Sequence, residues 1–428
     1  MRIKVIILFL LFVTYRINHA DGQVNIPTDT LRLTIQKAEE KFLSKNILLL
    51  AEKCNIDAAK ASIIQAKLWD NPTLNFEQNI YNFSTGKAFD FTKTGNTAFD
   101  VSQLFLLAGK RNKKVGLEQI NLQKSEYTFY ELIRTLKYEL RTTFFDTYYL
   151  IQSLNIYDKE INSLSKTIGI YDTQYSKGNI SLVETTRLKA FLYGLESEKN
   201  DIKNKLIEKQ ADLNLLLHNN GGFIIPVIDR EKIDSTVNKI PTLISLLDTA
   251  SNNRYDLHIQ ELDVCFATSN LTYQKSLSVP DVTVDIQAWN RAGGYVQNYN
   301  ALMLQFSLPL WNRNQGNIKI AKSQIDNSKY LLENYKDVVR NDVLKAYSKA
   351  VEADNLYKNQ KNSFGNDFEK LANESISNYE KRNISMIEFI DFYDSYKNYT
   401  IQHNGIENNR VDIFEELNYS VGKNIFNF

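Results

Sequence analysis

Proline is scarce in this chain. There are six in 428 residues, at Pro27, Pro72, Pro226, Pro241, Pro280 and Pro309. A proline breaks a helix interior, so the stretches from Pro72 to Pro226 and beyond Pro309 are open to long helices. Cysteine is scarcer still, with only Cys54 and Cys265. They either pair in an oxidising compartment or stand apart as two buried thiols. Four histidines, His19, His218, His258 and His403, show no metal-ligand spacing. There is no glycine-rich phosphate loop, no His-Glu-x-x-His and no Cys-x-x-Cys. Catalysis, a bound cofactor and a tightly held metal are therefore not expected. Charge of one sign is missing too: 51 Lys and Arg against 50 Asp and Glu give no bulk attraction to nucleic acid.

What the chain does have is a repeat. Tyr175–Glu184 reads YSKGNISLVE and Tyr379–Glu388 reads YEKRNISMIE, close to half the chain apart. Such self-similarity marks a duplicated unit. Before it, Arg2 and Lys4 precede an unbroken apolar run, Val5–Val13, too short to span a bilayer, so residues 1–20 read as a secretory signal. No cysteine follows that signal, which speaks against a lipid-anchored N-terminus.

The first repeat, 21–219, opens with an amphipathic helix from about Thr30 to Trp69, stopped by Asn71-Pro72. A β-hairpin is expected over 72–107. Leu74, Phe76 and Ile80 alternate with Thr73, Asn75, Glu77 and Asn79; then Phe99, Val101 and Phe105 alternate with Asp100 and Ser102. A helix follows over 110–176, with Leu150, Leu154, Tyr157, Ile161, Leu164, Ile168 and Tyr171 forming a heptad seam. At 1.5 Å per residue it is about 100 Å long. Lys177-Gly178-Asn179 turns the chain, and a return helix covers 181–217. A linker, 220–240, leads to the second repeat, 241–428: a helix to Ser278, a hairpin over 280–308, a long helix over 315–380 and a return helix over 384–420.

Four strands of about ten residues suit a tilted crossing of a bilayer. Four cannot close a barrel, and open edges are not tolerated in lipid, so several chains must share one; three would supply about twelve strands. Trp69, Trp289 and Trp311, with Tyr81, fall at or just beyond strand ends, as an aromatic girdle at the two membrane interfaces requires. Glu77, Asp100 and Asp285 then face a water-filled lumen, and Leu74, Phe76, Val282 and Val284 face lipid.

Two junctions carry a family resemblance. Ser102-Gln103-Leu104-Phe105-Leu106-Leu107-Ala108-Gly109-Lys110-Arg111 resembles the strand-to-helix junction of TolC-like outer membrane efflux proteins. Ser307-Leu308-Pro309-Leu310-Trp311-Asn312-Arg313-Asn314-Gln315-Gly316 resembles its second-half counterpart, in the form seen in CzcC-like members of heavy-metal efflux systems. The resemblance spans the mature chain. It implies a mainly α fold, mixed with β, in a homotrimer: a twelve-stranded β-barrel in the outer membrane continued by a long periplasmic α-helical barrel. It also implies an exit duct docked on a periplasmic adaptor and an inner-membrane transporter of the resistance–nodulation–division type. Three features depart from the family: no Asn-Pro around Asn46-Ile47, no lipid-modified cysteine, and Arg382 where a glycine is usual.

The same resemblance implies an acidic periplasmic gate at Glu184, Glu388 and Asp391. Its adaptor contacts would be the tips Gly178, Asn179, Ile180 and Ser181, with Arg382, Asn383, Ile384 and Ser385. A plainer reading stands beside it: acidic residues suit a first helical turn, and Asn and Ser cap helices. A duct for protein secretion, as in type I systems, remains open on these residues. So does a coiled-coil surface protein without a channel, although two hairpins count against it.

Overall fold

The structure is a computed structural model that describes residues 30–237, 239–292, 296–361, 374–375, 378–379 and 381–428. The signal segment lies outside these residues, as do 362–373, 376–377 and 380 of the expected second long helix. The first repeat starts with β1 (Thr30–Leu33), α1 (Ile35–Lys45) and α2 (Ile47–Lys67). Next come β2 (Thr73–Gln78), β3 (Tyr81–Asn82), β4 (Lys87–Ala88) and β5 (Thr97–Phe105). The 67-residue helix α3 (Lys110–Ser176) and the return helix α4 (Leu182–Leu216) complete it. Between repeats lie β6 (Phe223–Pro226) and α5 (Arg230–Thr236). The second repeat runs through α6 (Leu243–Asn253), α7 (Tyr255–Leu277), β7 (Val282–Ala292), β8 (Val296–Phe306), α8 (Gln315–Lys361) and α9 (Met386–Val421).

The single helix expected from Thr30 to Trp69 is three elements, and the one expected to reach Ser278 is two. Neither break has a proline. Asn46 is extended, at φ −64° and ψ 123°, closing α1 and capping α2 by accepting from Leu49 N–H at 3.2 Å. Arg254 likewise stands extended between α6 and α7, at φ −79° and ψ 112°, but its side chain makes no capping bond to α7. Each buried side chain then reaches the end of its own repeat's return helix. Asn46 Nδ2 donates to the Leu216 carbonyl at 3.0 Å, and Arg254 Nη1 to that of Ser420 at 3.4 Å. A helix end leaves carbonyls without partners, and these side chains supply donors.

The expected linker 220–240 is largely ordered, because β6 pairs in parallel with β1, Ile224 opposite Leu31. That pair roofs a core of Leu33, Phe42, Leu140, Phe144, Leu213 and Ile224. A second core joins Val343, Ala346, Ala350, Phe414 and Leu417 to Phe426 and Phe428 from the chain's end. Arg141 is buried between the halves, with Nη1 2.5 Å from Glu39 and Nη2 2.7 Å from Glu415. Cys54 and Cys265 are both exposed and unpaired, so neither the disulfide nor the buried-thiol reading holds.

A polar knot ties α3, α4 and α9. Lys209 Nζ lies 2.7 Å from Asp146, and Asn408 Nδ2 donates to Asp146 at 2.6 Å. Asp412 Oδ1 is buried there without a partner. Burial, then the charge of Asp146, pushes the Asp412 carboxyl up to about 8, with Lys209 opposing.

Two predictions follow from these contacts. Asn46→Ala removes both the cap and the bond to Leu216 and should cost about 2 kcal/mol; a lowered unfolding midpoint checks it, and Asn46→Asp should keep the cap alone. Asp412 has a folded pKa above its unfolded one, so its contribution is full below the unfolded value and lost as pH rises through about 8. Asp412→Asn should flatten the fall in unfolding midpoint that the wild type shows between acid and mildly alkaline pH.

Candidate functional site

Two ends of the molecule carry the chemistry, and the long helices separate them. At one end β2, β5, β7 and β8 form an antiparallel sheet in the order β2-β5-β7-β8. Residues opposite one another in register share a face. Asn75 faces Asp100, Asp100 faces Gln287, and Ser102 faces Asp285. On the other face Leu74 meets Val101, Val101 meets Ile286, and Ile286 meets Leu302. This apolar face is bare: Leu74 is 62% exposed and Leu302 67%. Glu77, Asp100 and Asp285 all stand on the polar face, as the alternation implies. Asn75 Nδ2 donates to Asp100 Oδ2 at 2.7 Å.

The strands differ in length from the expected ten. β7 and β8 have 11 residues each, whereas β2 has six. β2 stops because Asn79 turns to the loop, where its Oδ1 accepts from Gln78 Nε2 at 2.7 Å and from Asn96 N–H at 3.2 Å. The loop then folds around buried Asp90, which accepts from Thr92 N–H, Asn82 Nδ2, Thr85 Oγ1 and Thr94 Oγ1. Gly95 packs so close that a Cβ there would sit 1.6 Å from the Asp90 carbonyl oxygen.

The aromatic residues divide between the two ends of the sheet. Trp69 and Trp311 lie at the helix end, with Trp311 87% exposed. Trp69 meets Phe105 edge-on at 5.9 Å and carries the Arg111 guanidinium 3.8 Å above its ring. Tyr81 and Trp289 lie toward the hairpin loops. Trp289 is within β7 rather than at its end, because the strand continues through a bulge between Gln287 and Asn290. There it takes a left-handed φ of 57° and remains exposed, a bulge having re-aimed the side chain.

Each junction from strand to long helix has a left-handed residue just before the helix, Gly109 at φ 68° and Asn314 at φ 58°. Both are tied to the end of α7 or the chain just after it. Lys110, buried, lies 2.6 Å from Asp281 and donates to the Val279 carbonyl at 2.7 Å; Asn314 Nδ2 donates to the Gln274 carbonyl at 2.8 Å.

At the far end the two turns have one backbone. Gly178 N–H donates to Tyr175 O at 2.9 Å and Asn179 N–H to Gln174 O at 3.0 Å; Arg382 N–H donates to Tyr379 O at 3.0 Å and Asn383 N–H to Asn378 O at 2.8 Å. This is the Schellman pattern, which needs a left-handed residue. Gly178 (φ 75°) and Arg382 (φ 62°) supply it. Ser181 and Ser385 then cap α4 and α9 in capping boxes whose acidic partners are Glu184 and Glu388. Glu388 accepts from Ser385 N–H at 2.8 Å, and that bond holds its carboxyl below the usual range. Both acids are therefore occupied by capping. Asp391 is exposed on α9 and forms no ion pair among the described residues.

The structure brings the two turns together, with Ile180 and Ile384 on one core. The heptad seam of α3 supplies Tyr157, Leu164, Ile168 and Tyr171 to it. An aromatic stack not apparent from the sequence crosses between repeats. Tyr171 lies 5.0 Å from Tyr379 at 12°, and Tyr379 lies 4.4 Å from Phe389 at 8°. The repeat itself could have pointed to it, since Tyr379 is the counterpart of Tyr175. Yet Tyr175 is exposed and Tyr379 buried.

Known proteins agree with this architecture. Residues 40–218 match the family described as outer membrane efflux protein. The CmeC outer membrane channel of Campylobacter jejuni superposes over 91% of this chain and 85% of its own, with 14% identity and a TM-score of 0.73. The MtrE outer membrane channel of Neisseria gonorrhoeae, in its open state, covers 92% and 89%, with 14% identity and a TM-score of 0.70. VceC, an outer membrane protein of Vibrio cholerae, covers 91% and 96%, with 13% identity and a TM-score of 0.71. The fold is the one these three outer membrane proteins share. No curated protein matches the chain in sequence. Among the described residues no helix is long and apolar enough to cross a membrane.

The turns yield a paired prediction. A non-glycine residue in the left-handed region costs about 1 kcal/mol or more. Arg382→Gly should raise the unfolding midpoint and Gly178→Ala lower it, each by an amount of that order. Equal midpoints in both variants would contradict the shared left-handed geometry.

Proposed function

We propose that this protein is the outer membrane exit duct of a tripartite efflux pump, a passive channel with no reaction of its own. One observation carries the reading: a four-stranded sheet with one apolar, exposed face and both edges, β2 and β8, open. An open edge is not stable in lipid, and joining β8 of one chain to β2 of the next in a homotrimer would close a twelve-stranded barrel. The polar face with Glu77, Asp100 and Asp285 would line its lumen. Trp69 and Trp311 would mark the inner interface, and Tyr81 and Trp289 the outer one.

From the barrel, α3 extends about 100 Å, enough for a periplasmic helical barrel ending in the paired turns. Gly178–Ser181 and Arg382–Ser385 would meet a periplasmic adaptor, and an inner-membrane transporter of the resistance–nodulation–division type would supply cargo. Of the three acidic gate candidates Asp391 is the one we assign to the pore. Glu184 and Glu388 are held by their capping serines and would shape the turns. Three copies of Asp391 would form an anionic ring favouring cations. Cargo of heavy-metal cations is the narrower proposal, supported by the acidic lumen face and the Asn312–Gly316 junction.

Purified protein should run as a trimer in detergent and conduct ions across a planar bilayer; a monomer without conductance defeats the reading. Asp391→Ala should raise conductance or weaken divalent block, while Glu388→Ala should instead destabilise the turn. Deleting the gene should sensitise the host to metals if cations are the cargo, and to drugs or detergents alone if they are not.

A further inference from the structure

Asp285 is buried in an unexpected way for a residue on a lumen wall. It is 7% exposed, and its Oδ1 has no hydrogen-bond partner. Its cross-strand neighbours explain part of this. Ser102 on β5 and Met303 on β8 sit directly opposite, on either side. The charged group facing it is Asp100, one diagonal step away on β5. Asp100 is itself oriented, since its Oδ2 accepts from Asn75 Nδ2 at 2.7 Å. No lysine or arginine stands on this face beside the pair: the register positions around it are Asn75, Ala98, Ser102, Thr283, Gln287, Ala301, Met303 and Gln305.

Two carboxylates one diagonal step apart, one of them buried with an oxygen that has no hydrogen-bond partner, favour either a shared proton or a cation between them. The donors such a position offers are oxygens: Asp285 Oδ1 and the remaining oxygen of Asp100, with Ser102 at the register position opposite Asp285. Carboxylate and hydroxyl oxygens suit a hard divalent ion that keeps several waters, and the absence of sulfur or imidazole disfavours a soft metal. We infer that Asp285 and Asp100 bind a hard divalent cation, calcium or magnesium, bridging β5 and β7 on the polar face of the sheet. The site would pin the first repeat's hairpin to the second's. It rests on the duct reading only in placing that face in the lumen.

Calcium chloride titrated into the purified, detergent-solubilised protein is the direct test, followed by calorimetry and by thermal unfolding, with block of single-channel current measured separately. Wild-type protein should bind calcium and unfold at a higher temperature with it. Asp285→Asn, close in shape, should weaken binding by at least about tenfold and remove the shift, and Asp100→Asn should do the same. Retention of wild-type binding in both variants would overturn the site, as would failure of the wild type to bind either calcium or magnesium. In that last case the pair shares a proton instead. A channel that conducts but binds no cation refutes only this site. Protein that binds calcium through Asp285 yet never conducts refutes the duct.

Discussion

Each repeat depends on a single backbone break closed from the side. The inner helix of a unit must stop and restart so that one part packs on the body and the other continues toward the sheet. A stop exposes polar backbone, and a protein interior tolerates that only if each group finds a partner. Asn46 and Arg254 meet the need in the same way: extended backbone at the break, with a side chain directed to the last turn of the return helix. The start of each repeat is thereby fastened to its finish. The two residues differ in charge and size, so duplication preserved the geometry while the chemistry diverged. Arg254 also holds Asp256 and Asp342 at 2.5 and 3.1 Å, linking α7 to α8, which a short amide could not reach.

The same divergence appears at the turns. Both use one hydrogen-bond pattern, but the first has glycine at the strained position and the second arginine. The second repeat has the added aromatic stack of Tyr379 on Tyr171 and Phe389. Stacked rings contribute about 0.5–1.5 kcal/mol beyond their buried area, comparable to the backbone cost of Arg382. A strained residue persists where its surroundings over-determine it, and the stack beside Arg382 is such a surrounding.

Much of this was legible because it is local. The 67 residues of α3 follow from the missing proline and the heptad seam, and the two-sided sheet from strict alternation in β5 and β7. The Ser-x-x-Glu spacing at 181–184 and 385–388 spells a capping box, which is how the structure uses it. The parts that were hidden are set by distant partners. Thr30–Leu33 pairs with Phe223–Pro226, and nothing in four residues announces a mate nearly half the chain away. The breaks at Asn46 and Arg254 have neither proline nor glycine; the contact that makes them worthwhile lies in another helix. β2 ended early because Asn79 found bonds in the loop, and Trp289 was misplaced by a bulge that alternation does not encode.

The two open edges of the sheet have a consequence for how the protein arrives where it works. A chain that crossed the bilayer on one long apolar helix could enter alone, one molecule at a time. This one has no such helix among its described residues, and its four strands leave hydrogen-bonding rims on both sides. A lone copy has no stable resting place in lipid. On the duct reading proposed above, insertion and assembly would be one event, with the yield of membrane-embedded protein rising more steeply than in proportion to the supply of chains. Copies waiting for partners would then hold their apolar face and open edges outside the bilayer and would need shielding until enough had gathered.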